Sequence, residues 1–167
     1  MAGVVTEEFD AATNLAAEVR AAALARGLTV GVAESLTGGA LSASLARAGD
    51  ASEWFAGGVV AYHRATKYSV LGVPEGPVVT AAAARAMANG CRRLLAVDVA
   101  VGVTGVGGPG PEEGEPAGTV YLCVVTSTGA TEAEHRFAAE PDQVVERSIV
   151  AALQLIVAAI AEVPESH

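Results

Sequence analysis

The chain has 167 residues, about half of them apolar, and a net charge of −9. This length and apolar content fit one globular domain and argue against a disordered chain. The acidic balance argues against general nucleic-acid binding and against an anionic membrane surface, because both need a basic footprint. A local group of backbone amides can still hold one small anion.

Helical and strand patterns alternate through the first two thirds of the chain. Leu15, Val19 and Ala22 recur at helical spacing, and Gly27 follows them as a left-handed cap. In chain order the patterns predict a helix over 6–26, a strand over 28–33, a helix over 38–47, a strand over 57–62, a helix over 64–71, a helix from Thr80 as its cap to Leu95, and a strand over 97–104.

The last third begins with a loop over 105–118 that is rich in glycine, proline and acidic residues. Strands over 119–126 and 131–137 flank a hairpin turn at 127–130. A closing helix over 142–161 carries an apolar stripe at Val145, Ile149, Leu153, Ile156 and Ile160. These elements predict an α/β fold, a three-layer α/β/α single domain over 1–167 with a mixed sheet.

Sequence features also indicate the cellular compartment and whether a metal or cofactor is expected. Cys91 and Cys123 have no metal-binding spacing, and we expect both to be small buried hydrophobes. No metal-ligand cluster is visible, so we expect no metal and no cofactor. The chain opens with acidic residues rather than a signal sequence, and no run reaches ~18 apolar residues. We therefore expect a cytoplasmic protein with no nucleic-acid or membrane partner.

Ser35 is the first candidate for chemistry, in the segment 33–39 with the sequence AESLTGG. It lies between a predicted strand and a predicted helix, at the sheet edge where α/β proteins bind ligands. A helix start offers amides to an anion or a developing oxyanion, and Gly38 and Gly39 allow close backbone approach. The alternative is that Ser35 or Thr37 is only a helix N-cap.

A serine nucleophile needs a base, and Lys67 is the nearest distinctive candidate. Lysine acts as a base near neutral pH only if its pKa falls by ~2–3 units. Arg64, three residues earlier, and the apolar flanks of Lys67 would lower that pKa. Two alternatives stay open, that Lys67 is a solvated surface residue and that His63 is the base. Tyr62 ends the preceding strand and could donate a hydrogen bond.

The third candidate is the passage from strand 97–104 into the glycines of 105–110. Successive amides in such a loop can form a nest for an anion, and Thr104 can supply a hydroxyl. The alternative is a tight surface turn with no ligand.

Taken together, these motifs resemble the CinA carboxy-terminal domain family over residues 11–160. The resemblance rests on AESLTGG at 33–39, GGVVAY at 57–62 with Lys67, GVTG at 102–105, and GPG at 108–110. That family includes nicotinamide-nucleotide amidases, which hydrolyse nicotinamide mononucleotide to nicotinate mononucleotide and ammonia. Stand-alone copies of the domain are the usual amidases, and we expect this chain to be one.

The resemblance implies roles for individual residues. Ser35 would be the nucleophile, Lys67 its base and Tyr62 an assisting group, while amides of the helix after Thr37 would stabilise the oxyanion. It implies a small-molecule substrate and a homo-oligomer. The substrate contacts implied are Glu34, Thr37, Gly38, Gly39, Arg64, Thr104, Gly105, Gly108 and Gly110.

The chain departs from the family pattern near its last helix. The family often carries Gly-Asp-Arg there, with a further arginine four residues on, whereas this chain has Ala-Glu-Pro at 139–141 and Val145. Arg64, Arg136 and Arg147 are the remaining cations that could hold a phosphate. Three hypotheses follow: a nicotinamide-nucleotide amidase, a divergent amidase of another small amide, and a non-catalytic nucleotide-binding or regulatory module.

Overall fold

The computed structural model describes residues 2–166. In chain order its elements are α1 (Ala2–Arg26), β1 (Val30–Glu34), α2 (Ala40–Ala46), α3 (Ala51–Trp54), β2 (Phe55–Val60), α4 (Arg64–Leu71), α5 (Ala81–Leu95), β3 (Val99–Gly105), β4 (Thr119–Thr126), β5 (Gly129–Arg136) and α6 (Pro141–Glu162). The predicted order of helices and strands is confirmed, with α3 as one addition.

The strands form one mixed sheet in the order β2-β1-β3-β4-β5. β1 lies between β2 and β3 and is parallel to both, whereas β3, β4 and β5 alternate in direction. Glu34, the last residue of β1, pairs with Val60 of β2 and Val103 of β3. The carboxyl ends of the three parallel strands therefore meet at one edge, where open α/β sheets bind ligands.

Two apolar cores cover the two faces of this sheet. α1 and α6 pack on the face that carries Val32 and Val101. α4 and α5 pack on the opposite face, against Ala33 and Ala100. The predicted three-layer α/β/α architecture with a mixed sheet is thus confirmed.

Helix α2 begins at Ala40, two residues later than predicted. Gly38 and Gly39 have φ values of 56° and 102°, which a right-handed helix does not accommodate. The short helix α3 is missing from the prediction because four residues cannot display a helical period.

Several local predictions are confirmed at residue level. Gly27 takes a positive φ of 62° after α1. The Thr80 hydroxyl accepts a hydrogen bond of 3.0 Å from the Ala83 amide and so caps α5. In α6 the predicted stripe is buried except at Val145, which is half-buried, and Val144 takes its place in the core.

Helix α6 is long and apolar enough to cross a membrane by length and composition alone. About half of its most apolar stretch is buried inside the protein. Ile149, Leu153 and Ile156 lie in the core beneath the sheet. This is the arrangement of a core helix in a globular domain.

Gly90 sets the contact between α5 and α4, the helix that carries Lys67. A Cβ at Gly90 would lie 2.0 Å from the carbonyl oxygen of Leu71, so a larger residue forces the two helices apart. We expect Gly90→Ala to lower the free energy of unfolding by about 1–3 kcal/mol, measured by urea denaturation. Gly3→Ala in α1 is the control, because nothing lies within 4 Å of the added atom. Equal stability of the two variants would contradict the prediction.

Candidate active site

A cavity of about 620 Å³ opens at the carboxyl edge of the sheet. Its volume is typical of small-molecule sites. The ends of β1 and β3, the start of α4, and the glycine-rich loop after β3 form its walls. The lining residues are Ser35, Leu36, Tyr62, His63, Arg64, Lys67, Val78, Val79, Thr104, Gly105, Val106, Gly107, Gly108, Gly110, Pro111, Glu112 and Glu113. The structure thus brings the three sequence motifs together around one space.

Ser35 lies at the floor of this cavity, directly after β1. Its residue surface is only 7% exposed. Its hydroxyl has no hydrogen-bond partner among residues 2–166. The backbone carbonyl of Ser35 accepts from the Gly38 amide at 3.0 Å, which closes a tight turn and holds the side chain at the strand end. The hydroxyl is therefore free to meet a ligand.

Lys67 is 2% exposed, so the alternative of a solvated surface lysine is wrong. Its Nζ donates a hydrogen bond of 3.0 Å to the backbone carbonyl of Tyr62. Burial lowers the pKa of Lys67 below its ordinary value of 10.5, because the charged amine loses its hydration. An amine with a lowered pKa and a free serine hydroxyl therefore line the same cavity, and a serine–lysine mechanism requires both groups.

Charged residues around Lys67 act on its pKa in both directions. Glu112 and Glu113 raise the pKa of Lys67, and Arg64 lowers it by a smaller amount than burial does. The sequence analysis named both Arg64 and the apolar flanks as causes of a lowered pKa, and burial is the larger one. Arg64 also forms an ion pair of 3.2 Å with Glu113, which weakens its effect on the lysine.

His63 lines the cavity but serves as the N-cap of α4. Its Nδ1 accepts a hydrogen bond of 3.2 Å from the Ala65 amide. Because the basic nitrogen of the ring is occupied, His63 is a poorer general base than Lys67. Tyr62 is 68% exposed, and its side chain stands at the mouth of the cavity.

The glycine-rich loop forms the wall opposite α4. The Thr104 hydroxyl, predicted to face a ligand, donates instead to the Val78 carbonyl at 2.7 Å and joins this wall to the segment before α5. The amides of Gly107, Gly108 and Gly110 have no hydrogen-bond partner within the described part of the chain. These free donors fit the predicted anion nest.

Comparison with known proteins assigns the arrangement to a family. The model of the CinA C-terminal domain matches residues 12–160. The chain belongs to the CinA C-terminal domain family. A CinA-like protein of Geobacter sulfurreducens is 39% identical over 134 residues, which are 77% of this chain and 32% of the relative. A CinA-like protein of Mycobacterium sp. is 40% identical over 142 residues, 81% of this chain and 34% of the relative. The chain spans about a third of the length of these relatives.

Solved structures of the CinA superfamily share the fold. The competence damage-inducible protein A of Klebsiella pneumoniae superposes with a TM-score of 0.88 at 32% identity, covering 92% of this chain and 99% of that one. A CinA superfamily protein of Escherichia coli superposes with a TM-score of 0.84 at 30% identity, covering 88% and 90% of the two chains.

Glu34 of this CinA domain lies outside the lining of the cavity, contrary to its predicted contact with substrate. It is fully buried. Its carboxylate accepts hydrogen bonds from the amides of Gly39 (3.2 Å), Leu41 (2.9 Å) and Ser42 (3.0 Å) and from the Ser42 hydroxyl (2.6 Å). Glu34 therefore caps α2 from the end of the neighbouring strand.

The same contacts correct the predicted oxyanion site of the CinA domain. The amides that follow Thr37 are occupied. Gly38 and Ala40 donate to backbone carbonyls, and Gly39, Leu41 and Ser42 donate to the Glu34 carboxylate. Thr37, Gly38 and Gly39 do not line the cavity. The Thr37 hydroxyl is buried with no partner, so it is not the cap of α2.

Two of the three candidate phosphate cations lie away from the cavity. Arg136 is on β5 and pairs with Glu115 and Glu134. Arg147 is on α6 and pairs with Glu8 of α1. Arg64 alone among the arginines of residues 2–166 lines the cavity.

Glu113 is the main structural residue of the CinA domain's cavity that sequence reasoning missed. Its carboxylate accepts hydrogen bonds from the amides of Val78 (3.0 Å) and Val79 (2.7 Å), 35 and 34 residues away, and also pairs with Arg64. The acidic run in the loop is visible in the sequence, but no local pattern reveals a partner at that separation.

Proposed function

We propose that this protein is an amidohydrolase that converts nicotinamide mononucleotide to nicotinate mononucleotide and ammonia. The observation that carries the proposal is that one cavity is lined both by Ser35, a buried residue whose hydroxyl has no partner among residues 2–166, and by a buried lysine of lowered pKa. Membership of the CinA family supports it, because that family includes amidases with a serine nucleophile and a lysine base.

The reaction proceeds through an acyl-enzyme. Neutral Lys67 takes the proton of Ser35 as Oγ bonds to the carboxamide carbon, and the carbonyl oxygen becomes an oxyanion. The carbon–nitrogen bond then breaks as Lys67 returns the proton to nitrogen, which leaves as ammonia. A water molecule gives a proton to Lys67, attacks the ester and releases the carboxylate and Ser35.

The oxyanion needs donors other than those predicted after Thr37. In our proposal the free amides of Gly107 and Gly108 supply them, since both line the cavity and neither has a partner among the described residues. Fixed backbone donors of this kind stabilise developing negative charge without reorganisation. Tyr62 assists from the cavity mouth.

A second candidate is an amidase of a small amide without a phosphate group. The observation that favours it is the ion pair of Arg64 with Glu113, which leaves no unpaired arginine in the cavity. Under either candidate we propose that the protein works in the cytoplasm as a homo-oligomer, without a metal or cofactor.

The proposal is tested by measuring ammonia release from nicotinamide mononucleotide with the purified protein. We expect ammonia and nicotinate mononucleotide to form in equal amounts, with the nucleotide product identified by mass spectrometry. Ammonia release only from amides without a phosphate would favour the second candidate. Binding of the mononucleotide with no turnover would reject both and identify a binding or regulatory module.

The pH profile tests the role of Lys67. Because the neutral amine is the base, kcat/KM should rise with pH through the pKa of Lys67, which lies below 10.5, and then level off. We expect Lys67→Arg, which stays protonated, to remove this rise of kcat/KM with pH and to lower kcat by roughly 10²–10⁴-fold.

His63→Asn is the matched control for the pH profile. Asparagine preserves an N-cap for α4 while removing the imidazole. The rise of kcat/KM with pH should remain in this variant. If the rise of kcat/KM with pH disappears in His63→Asn and remains in Lys67→Arg, His63 and not Lys67 is the base.

A further inference from the structure

The charged side chains that line the cavity differ in whether they have hydrogen-bond or ion-pair partners. Glu113 is bound to two backbone amides and to Arg64. Lys67 donates to the Tyr62 carbonyl. The carboxylate of Glu112, by contrast, has no hydrogen-bond or ion-pair partner among residues 2–166. An unpaired negative group therefore faces the same space as the free Ser35 hydroxyl.

Backbone contacts hold Glu112 in this position. Its amide donates to the Glu115 carbonyl at 3.1 Å, and the Glu115 amide donates back at 2.8 Å. Glu113 and Gly114 form the turn between them, with φ values of 51° and 77°. The Glu113 side chain then ties this turn to Val78 and Val79. The backbone of Glu112 is thus fixed at the cavity wall, where the residue is exposed to solvent.

Glu112 also lies close enough to Lys67 to exert the largest charge effect on it, raising the pKa of the amine. In an empty cavity this favours the protonated lysine, which cannot act as a base. A positive charge placed beside Glu112 would cancel that influence and would itself favour the neutral amine. A cation bound beside Glu112 would therefore favour the form of Lys67 that can act as a base.

We propose that Glu112 makes the cavity selective for amides that carry a fixed positive charge on their ring, and that a phosphate contributes little to recognition. This inference rests on the proposed function for the placement of the carboxamide at Ser35. The pyridinium ring of a nicotinamide nucleotide has such a charge. Arg64 is the one arginine of residues 2–166 that lines the cavity, and it is already paired with Glu113, while the amides of Gly107 and Gly108 serve the oxyanion in the proposed mechanism.

The test compares two small amides of nearly equal shape. 1-Methylnicotinamide is a cation, and 3-methylbenzamide is its neutral counterpart. Calorimetry with Ser35→Ala measures binding without turnover. We expect the cation to bind about threefold to fivefold more tightly, since Glu112 is exposed and solvent screens part of its attraction for the cation.

In the double variant Ser35→Ala with Glu112→Gln, this preference should fall to about onefold, while the neutral amide still binds. Glu75→Gln in the same background is the control, because Glu75 is exposed and does not line the cavity. It removes the same net charge and should keep the preference. Equal binding of the two amides to Ser35→Ala, or a preference that survives Glu112→Gln, would overturn the inference.

Turnover separates this inference from the proposed function. With the wild-type protein, nicotinamide riboside and nicotinamide mononucleotide should have kcat/KM values within about threefold of each other, because an exposed, already paired arginine adds little. A large advantage for the mononucleotide would overturn the claim about phosphate and leave the amidase standing. Cation-selective binding without any ammonia release would refute the amidase and leave the role of Glu112 standing.

Discussion

Ser35→Ala is expected to lower ammonia release from nicotinamide mononucleotide by roughly 10³-fold or more, because the acyl-enzyme can no longer form. The substitution removes one oxygen that has no partner in the described structure, so the fold should be unaffected. Binding should also persist, because the other residues that line the cavity are unchanged. The expected signature is a loss of kcat with an unchanged dissociation constant.

Ser69→Ala is the matched control for this variant. Ser69 is an exposed serine of α4 that does not line the cavity, so its loss should leave the rate unchanged. A mechanism-based label on the acyl-enzyme, seen by mass spectrometry of the wild type, should fall on Ser35. Turnover in Ser35→Ala close to that of the wild type would refute the nucleophile and the mechanism built on it.

Glu34→Ala is expected to lower the free energy of unfolding by about 3–5 kcal/mol, since several buried donors lose their acceptor at once. The amides of Gly39, Leu41 and Ser42 would face an empty space at the start of α2. Denaturant unfolding followed by circular dichroism measures the change. Because Ser35 follows Glu34 directly, activity should also fall in whatever fraction remains folded.

Glu53→Ala is the control for Glu34→Ala, because Glu53 is an exposed carboxylate in the neighbouring helix α3. It should change stability by no more than about 0.5 kcal/mol. Glu34→Gln should fall between the two, since an amide oxygen replaces only part of the acceptor capacity. A loss below about 1 kcal/mol in Glu34→Ala would contradict the capping role.

Sequence patterns predict the secondary structure of this chain well wherever an element is long or bounded by strong signals. β4 and α4 lie within the predicted bounds, and Thr80 caps α5. The errors occur at short elements and at glycines. α3 is too short to show a period, and the positive φ values of Gly38 and Gly39 delay α2.

Sequence reasoning located the cavity but misassigned part of its wall. Ser35, Lys67 and Thr104 follow or flank parallel strands, whose shared carboxyl edge is predictable from the α/β pattern. Glu34 has the same sequence context, yet successive strand residues point to opposite faces, and its side chain turns under α2 instead. The partners of Glu113 lie in another segment, and only the folded chain brings them together.

The glycine-rich wall of the cavity is held at its base and at its acidic turn. The Gly118 amide donates to the Val106 carbonyl at 2.7 Å near its base, and Glu113 anchors its acidic turn. The binding surface is consequently preorganised, and a ligand need not order a loose loop when it arrives. Association then loses little conformational entropy, so affinity at this site depends chiefly on complementarity of charge and shape.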